Sequence, residues 1–188
     1  DQIGDIKTTA RTDLGDDWLL CNGELLSKTL YPELYPLLLA NPDGTWTANN
    51  QGSSRLQDVT YDNGYWVAVG HDGALYYKSD TPVGIWTANN QGSVYMNGVA
   101  YGNGYWVTVG TSGTLLYKAN TPSGAWTANN QGSSGLTSVA YGNGYWVAVG
   151  ASGTLYYKSG TPVGTWTANN QGSTNMNGVA YGNGYWVT

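Results

Sequence analysis

Beyond residue 44 the chain consists of short β-branched and aromatic runs, about five to seven residues long, cut by glycine-containing dipeptides. In one stretch, LTSVAY at Leu136–Tyr141 runs into Asn143-Gly144, and YWVAVG at Tyr145–Gly150 runs into Ser152-Gly153. TLYYKS at Thr154–Ser159 then leads through TPVG at Thr161–Gly164 to TWTANN at Thr165–Asn170. Asn-Gly and Ser-Gly supply the positive φ that tight hairpins need, so the pattern predicts four short antiparallel strands. Strict alternation is blurred, because YWVAVG carries apolar residues on both sides of its strand. Both faces of each small sheet are therefore expected to be covered by neighbours.

The same pattern returns with a fixed period. WTANNQGS opens at Trp46, Trp86, Trp126 and Trp166, forty residues apart, and Y(D/G)NGYWV opens at Tyr61, Tyr101, Tyr141 and Tyr181. A longer order lies over it. Leu56/Leu136 and Tyr76/Tyr156 are shared by the first and third repeats, whereas MNGVA begins at Met96 and Met176 in the second and fourth. Four strands in roughly forty residues match one blade of a β-propeller, with a β-hairpin solenoid as the competing architecture. Residues 44–188 hold three complete repeats and a fourth that lacks its third segment. The Trp46 segment is placed to supply an outer strand to that last blade. Further repeats, or an open arc completed by other chains, are expected.

Composition narrows the function. There are 28 Gly, 9 Trp and 16 Tyr, no Phe, and only 10% of residues are charged. Eight of the twelve acidic residues lie between Asp1 and Asp43, and beyond Asp80 the only charged side chains are Lys118 and Lys158. No basic track exists for a phosphate backbone, so nucleic acid is not an expected partner. The single cysteine, Cys21, supports neither an intramolecular disulfide framework nor a metal cluster. No apolar run reaches transmembrane length, so no membrane insertion is expected.

The first residues read differently. Gly4-Asp5-Ile6 opens a predicted strand, Trp18-Leu19-Leu20-Cys21-Asn22-Gly23 follows, and YPELYPLLL at Tyr31–Leu39 places Leu34, Leu37 and Leu38 on one predicted helical face. This combination resembles the phage tail-collar domain of short tail fibres and tail-tip proteins. The family's Pro-x-Gly before the Trp is replaced by Leu14-Gly15-Asp16-Asp17, and the histidines that hold a metal in some members are missing. The resemblance implies a collar-like α+β domain at 1–43, a virion tail or tail-like particle that is extracellular after release, a homotrimer, and contacts with other tail or baseplate proteins. The expected fold is thus an all-β array of four-stranded, propeller-like blades, incomplete in this chain, behind a small collar-like domain. The repeats also resemble sialidase-type propellers, although Gly84 and Gly124 stand two residues before their tryptophans instead of three and the Asp-box aspartate is absent. That likeness implies architecture without activity.

No catalytic set can be assembled. A sialidase-type site needs several arginines, and the chain has Arg11 and Arg55 alone. Glycoside hydrolysis ordinarily needs two placed carboxylates, and those of the array are Asp58, Asp62, Asp72 and Asp80, all in the first repeat. His71, the only histidine, reads as part of a hairpin turn. Burying one Trp stabilises by ~4–6 kcal/mol at most, so blades without helices need their tryptophans inside. The amide phrase remains as the candidate ligand surface: Asn89, Asn90 and Gln91; Asn129, Asn130 and Gln131; Asn169, Asn170 and Gln171. Amide side chains with aromatic faces suit a sugar, so a host cell-surface polysaccharide is the expected partner, bound without cofactor, metal or catalysis. The competing duty of the same amides is to cap turns in the backbone. A tail spacer or assembly module with no ligand is the alternative function.

Overall fold

The computed structural model describes residues 48–188, and the collar-like reading of residues 1–43 lies outside the described residues. The Asn-Gly pair of each Y(D/G)NGYWV phrase sits at a hairpin with both residues at positive φ, as at Asn103 (46°) and Gly104 (81°), whereas Asn97-Gly98 lies within a strand. Such turns match the twist of the flanking strands, and glycine enters this region without the steric cost of a Cβ. They join β1 (Leu56–Asp62) to β2 (Tyr65–Gly70), β5 (Met96–Gly102) to β6 (Tyr105–Gly110), and β9 (Leu136–Gly142) to β10 (Tyr145–Gly150).

The second turn is looser than a two-residue hairpin. Ser152 and Gly153 have positive φ but belong to a three-residue 3-10 turn, Ala151–Gly153, and His71–Gly73 and Thr111–Gly113 do the same. The turns lead to β3 (Leu75–Ser79), β7 (Leu115–Ala119) and β11 (Leu155–Ser159). The fourth strand of each sheet is only two residues: β4 (Thr87–Ala88), β8 (Thr127–Ala128) and β12 (Thr167–Ala168). It is short because the preceding loop folds on itself. The Trp126 and Trp166 indole N–H groups donate to the carbonyls of Pro122 and Pro162, four residues back, at 3.0 Å. Only the Thr-Ala pair that follows joins the ladder.

The described residues thus form three four-stranded antiparallel sheets in sequence order, followed by a hairpin of β13 (Ala180–Gly182) and β14 (Tyr185–Val187). Successive sheets stack through their first strands, β5 lying against both β1 and β9, and β13 against β9. The core is a series of layers between blades. Val67, Val69 and Leu75 of blade 1 meet Met96, Val99, Trp106 and Trp126 of blade 2. Val107, Val109 and Leu115 of blade 2 meet Leu136, Val139, Trp146 and Trp166 of blade 3. Each blade therefore has a forward Val-Val-Leu face and a rear Trp-bearing face, which explains the blurred alternation in YWVAVG.

Glycine at one joint is a packing requirement. A Cβ on Gly102 would lie 2.2 Å from Cγ of Tyr141, whose ring also packs at a tilt on Trp146, with centroids 4.9 Å apart. Gly102→Ala is expected to cost about 1–3 kcal/mol by overpacking, read as a lower thermal midpoint. An unchanged midpoint would show that the Tyr141 ring moves aside freely.

Candidate functional site

The repeated amides stand where one blade hands over to the next. After β4 the chain leaves the ladder, but its side chains extend it. Asn89 N–H donates to the Leu75 carbonyl at 2.7 Å, and Asn90 Oδ1 accepts from Leu75 N–H at 3.3 Å. Asn130 Oδ1 accepts from Leu115 N–H at 3.1 Å and Asn170 Oδ1 from Leu155 N–H at 3.2 Å. The middle asparagine of each phrase thus stands in for a backbone carbonyl.

The flanking amides reach forward. Asn89 Nδ2 donates to the carbonyls of Pro122 (2.7 Å) and Gly124 (2.8 Å) in the next blade, so both its protons are used. Asn129 repeats this with Pro162 (2.7 Å) and Gly164 (2.8 Å). Gln91 Oε1 accepts from Trp126 N–H at 3.0 Å while its Nε2 donates to Asn89 O at 2.6 Å, and Gln131 does the same with Trp166 (3.1 Å) and Asn129 (2.6 Å). Asn49 and Gln51 hold Pro82, Gly84 and Trp86 of blade 1 in the same manner. The first three NNQ phrases are latches, each closing on the Pro-x-Gly-x-Trp loop of the blade that follows it. A backbone N–H and two carbonyls that would otherwise lack partners at the joint are satisfied by each.

The predicted site residues therefore divide into two kinds. Asn89, Gln91, Asn129 and Gln131 commit their amides to the joints, and Gln131 is buried. Asn90, Asn130 and Asn170 are exposed; each spends its Oδ1 on a leucine N–H and leaves its Nδ2 without a partner among the described residues. Asn169 and Gln171 are exposed; Gln171 Nε2 donates to Asn169 O at 2.8 Å, and no loop among the described residues closes their latch. The latch was recoverable from the sequence, because each of the first three NNQ phrases is followed, 33 residues after its first Asn, by the same Pro-x-Gly-x-Trp.

Asp58 serves the backbone too, while His71 meets other side chains. Asp58 accepts from Val59 N–H (2.9 Å) and, across the joint, from Val99 N–H (2.8 Å). His71 stacks on Tyr95 at 4.4 Å, with Gln57 Nε2 3.0 Å from its Nε2. Burial, and then the Asp62 carboxylate, push the Tyr101 hydroxyl above its ordinary value of 10.0. Its contribution to stability is therefore complete below about pH 10 and lost as pH rises through the higher folded value. No group of three His, Cys, Asp or Glu side chains gathers at one place among the described residues. A cavity of about 300 Å³ opens on blade 1, lined by Leu56, Val59, Ala68 and Trp86 with polar groups from Asn49 and Asp58 among others.

Neither a protein-family model nor a curated protein sequence matches the chain. Among solved structures it is similar to the WD40 β-propeller domain of Doa1, with 14% identity and a TM-score of 0.50 over 66% of this chain and 44% of that one. It is also similar to the computationally designed Ika8 protein, with 11% identity and a TM-score of 0.53 over 68% of this chain and 40% of that one. The chain spans less than half the length of either structure, 44% and 40%, and at such identities the likeness concerns the fold alone. Together with the four-stranded antiparallel sheets it defines a β-propeller-like repeat array, the blade of the two architectures that the sequence allows.

Proposed function

We propose that the chain is a non-catalytic segment of a phage-like tail fibre whose array attaches to a neutral glycan on a host cell surface. The observation that carries the binding role is the row formed by Asn90, Asn130 and Asn170. Each is exposed, each is fixed by a hydrogen bond from its Oδ1, and each offers an uncommitted amide at the same point of its blade. Donors already held in place lose little rotamer entropy on binding a sugar hydroxyl. One such site is weak, about 4 kcal/mol at millimolar affinity, but rigidly repeated sites raise avidity by about 10²–10⁴. The tail assignment is supported by the resemblance of Gly4–Pro42 to the tail collar, which also supports a homotrimer and partners in the tail or baseplate.

A second reading is favoured by the latches. Four of the nine candidate residues, Asn89, Gln91, Asn129 and Gln131, are spent on joining blades, as a spacer or assembly module requires. The triple variant Asn90→Asp, Asn130→Asp, Asn170→Asp separates the two. Aspartate keeps the Oδ1 acceptor and removes the donor, so the fold is expected to persist while binding to host cells or purified polysaccharide falls at least tenfold. The assay is run at high salt to screen the added charge. Undiminished binding by the folded triple variant removes the amide row from the account, and absence of binding by the parent chain in its native oligomeric state leaves the spacer.

A further inference from the structure

On the rim that carries the NNQ phrases, each joint sets the 3-10 turn of one blade against the segment that opens the next. Between blades 1 and 2, Gln91 N–H donates to Gly73 O at 2.8 Å and Gly73 N–H donates to Val94 O at 2.7 Å. The turn His71–Gly73 is thus clasped between Gln91 and Val94, and Asn90 and Tyr95, the next residues outward, stand on its two sides. Asn90 has its Oδ1 fixed on Leu75 N–H and its Nδ2 free among the described residues.

The repeat is broken at this joint. His71, Asp72 and Tyr95 stand where the second joint has Thr111, Ser112 and Gly135 and the third has Ala151, Ser152 and Asn175. Two of the departures meet: His71 stacks on Tyr95 with centroids 4.4 Å apart and planes at 14°, and Gln57 Nε2 lies 3.0 Å from His71 Nε2. The imidazole covers one face of the tyrosine, yet Tyr95 remains 43% exposed. Blades 1 and 2 are both complete four-stranded sheets, so this is not the exposure of an unfinished joint. Asp72 is exposed in the same turn at φ 54°, and its carboxylate makes no hydrogen bond among the described residues.

We propose that the joint between blades 1 and 2 is the principal sugar subsite of the array and takes one hexopyranose ring; this rests on the glycan reading above. A pyranose presents an apolar C–H face bordered by hydroxyls, and an aromatic ring is the side chain that covers such a face. The C–H face packs on the free side of Tyr95. The Asp72 carboxylate can only accept, so it takes a hydroxyl proton, while Asn90 Nδ2 supplies the donor. His71 is a positioning residue: its stack holds the Tyr95 ring before the sugar arrives, which lowers the cost of ordering it. Asn130 and Asn170 offer the same donor, but Gly135 and Asn175 give them no aromatic face.

Four probes test it: the methyl pyranosides of glucose, galactose, mannose and N-acetylglucosamine, followed by amide NMR of the labelled 188-residue chain. Each is titrated to about 20 mM, above the millimolar scale of one weak site. At least one is expected to shift the Asp72 and Tyr95 amides saturably while those of Ser112 and Gly135 stay still. Tyr95→Gly is expected to weaken that binding about tenfold or more, whereas Tyr95→Phe retains it. His71→Ala is expected to weaken it less, and His71→Phe, which keeps the stack, to restore it. Gly135 lies outside the left-handed region and a Cβ there meets only Thr111 Cα, at 4.0 Å, so the second joint can be converted. Thr111→His with Ser112→Asp and Gly135→Tyr is expected to bring saturable shifts to that joint; silence there overturns the assigned roles. Shifts spread evenly over Asn90, Asn130 and Asn170 and indifferent to Tyr95→Gly overturn the subsite and leave the glycan reading standing. No shift with any of the four probes, in a chain whose spectrum shows it folded, also overturns the subsite. The cell-binding assay of the Asn90, Asn130 and Asn170 variant then judges the glycan reading separately.

Discussion

Replacing Gln131 with alanine is expected to destabilise the array by about 2–4 kcal/mol, while the same replacement at Gln171 changes stability by less than ~0.5 kcal/mol. The two residues occupy the same place in the same phrase. Gln131 is buried; its Oε1 accepts from Trp166 N–H at 3.1 Å and its Nε2 donates to Asn129 O at 2.6 Å. Alanine leaves both groups without a partner at the joint between blades 2 and 3, and orphaned backbone groups carry the full cost of desolvation. Gln171 is exposed and touches only Asn169 O among those two kinds of partner. Thermal or denaturant unfolding of the two variants measures the difference. Equal effects at the two positions would mean that the phrase acts through its own turn and not through the next blade.

Gly113→Ala is expected to be the more damaging change, at about 3–5 kcal/mol. Gly113 ends the 3-10 turn after β6 with φ at 70°, where a side chain is strained. A Cβ there would also lie 2.4 Å from the carbonyl oxygens of Gln131 and Gly132. Those oxygens belong to backbone that cannot swing away, because Gln131 N–H donates to Gly113 O at 2.8 Å. Gly144 provides the comparison: its φ is 80° but nothing lies within 4 Å of a Cβ. Gly144→Ala is therefore expected to cost only the conformational part, about 1–2 kcal/mol. The gap between the two, measured by chemical unfolding, isolates the close approach of turn and latch. No gap would show that the latch strand yields to the added methyl.

These contrasts mark how far the sequence could be read. The Asn-Gly pairs before YWV announced their hairpins because positive φ at both residues is a local property, as at Asn143-Gly144, while Asn97-Gly98 carries the same dipeptide inside β5. The four segments of the third repeat became four strands for the same reason, although TWTANN contributes only Thr167–Ala168 to the ladder. That shortening depends on Trp166 reaching back to Pro162, a tertiary feature that strand propensity does not contain.

The eighty-residue order was visible as letters without a cause. Its physical counterpart lies in alternating joints. Asp58 and Ser138 accept from Val99 and Val179 N–H on the way into even blades, whereas Asn97 donates to Leu136 O on the way into blade 3. Thr108 closes on Gly98 O inside its own blade. Which of these groups meet is decided by the offset between neighbouring sheets, and that offset has no local signature. The division within NNQ is of the same kind. All three amides look alike in the sequence, yet position relative to the next blade commits Asn129 and Gln131 to the joint and leaves the Asn130 Nδ2 facing no partner among the described residues.

The central claim is that WTANNQGS is first a joint between blades, and amide hydrogen exchange at the Trp166 N–H tests it most directly. Trp166 precedes β12 and lies outside every strand, so the Gln131 side chain, not a ladder, supplies the acceptor for its amide. The account predicts slow exchange at Trp166 in the parent chain, comparable with the strands of blade 3, and selective loss of that protection in Gln131→Ala while Trp126, held by Gln91, stays protected. Exchange at Trp166 in the parent as fast as at the exposed turn residues would contradict it.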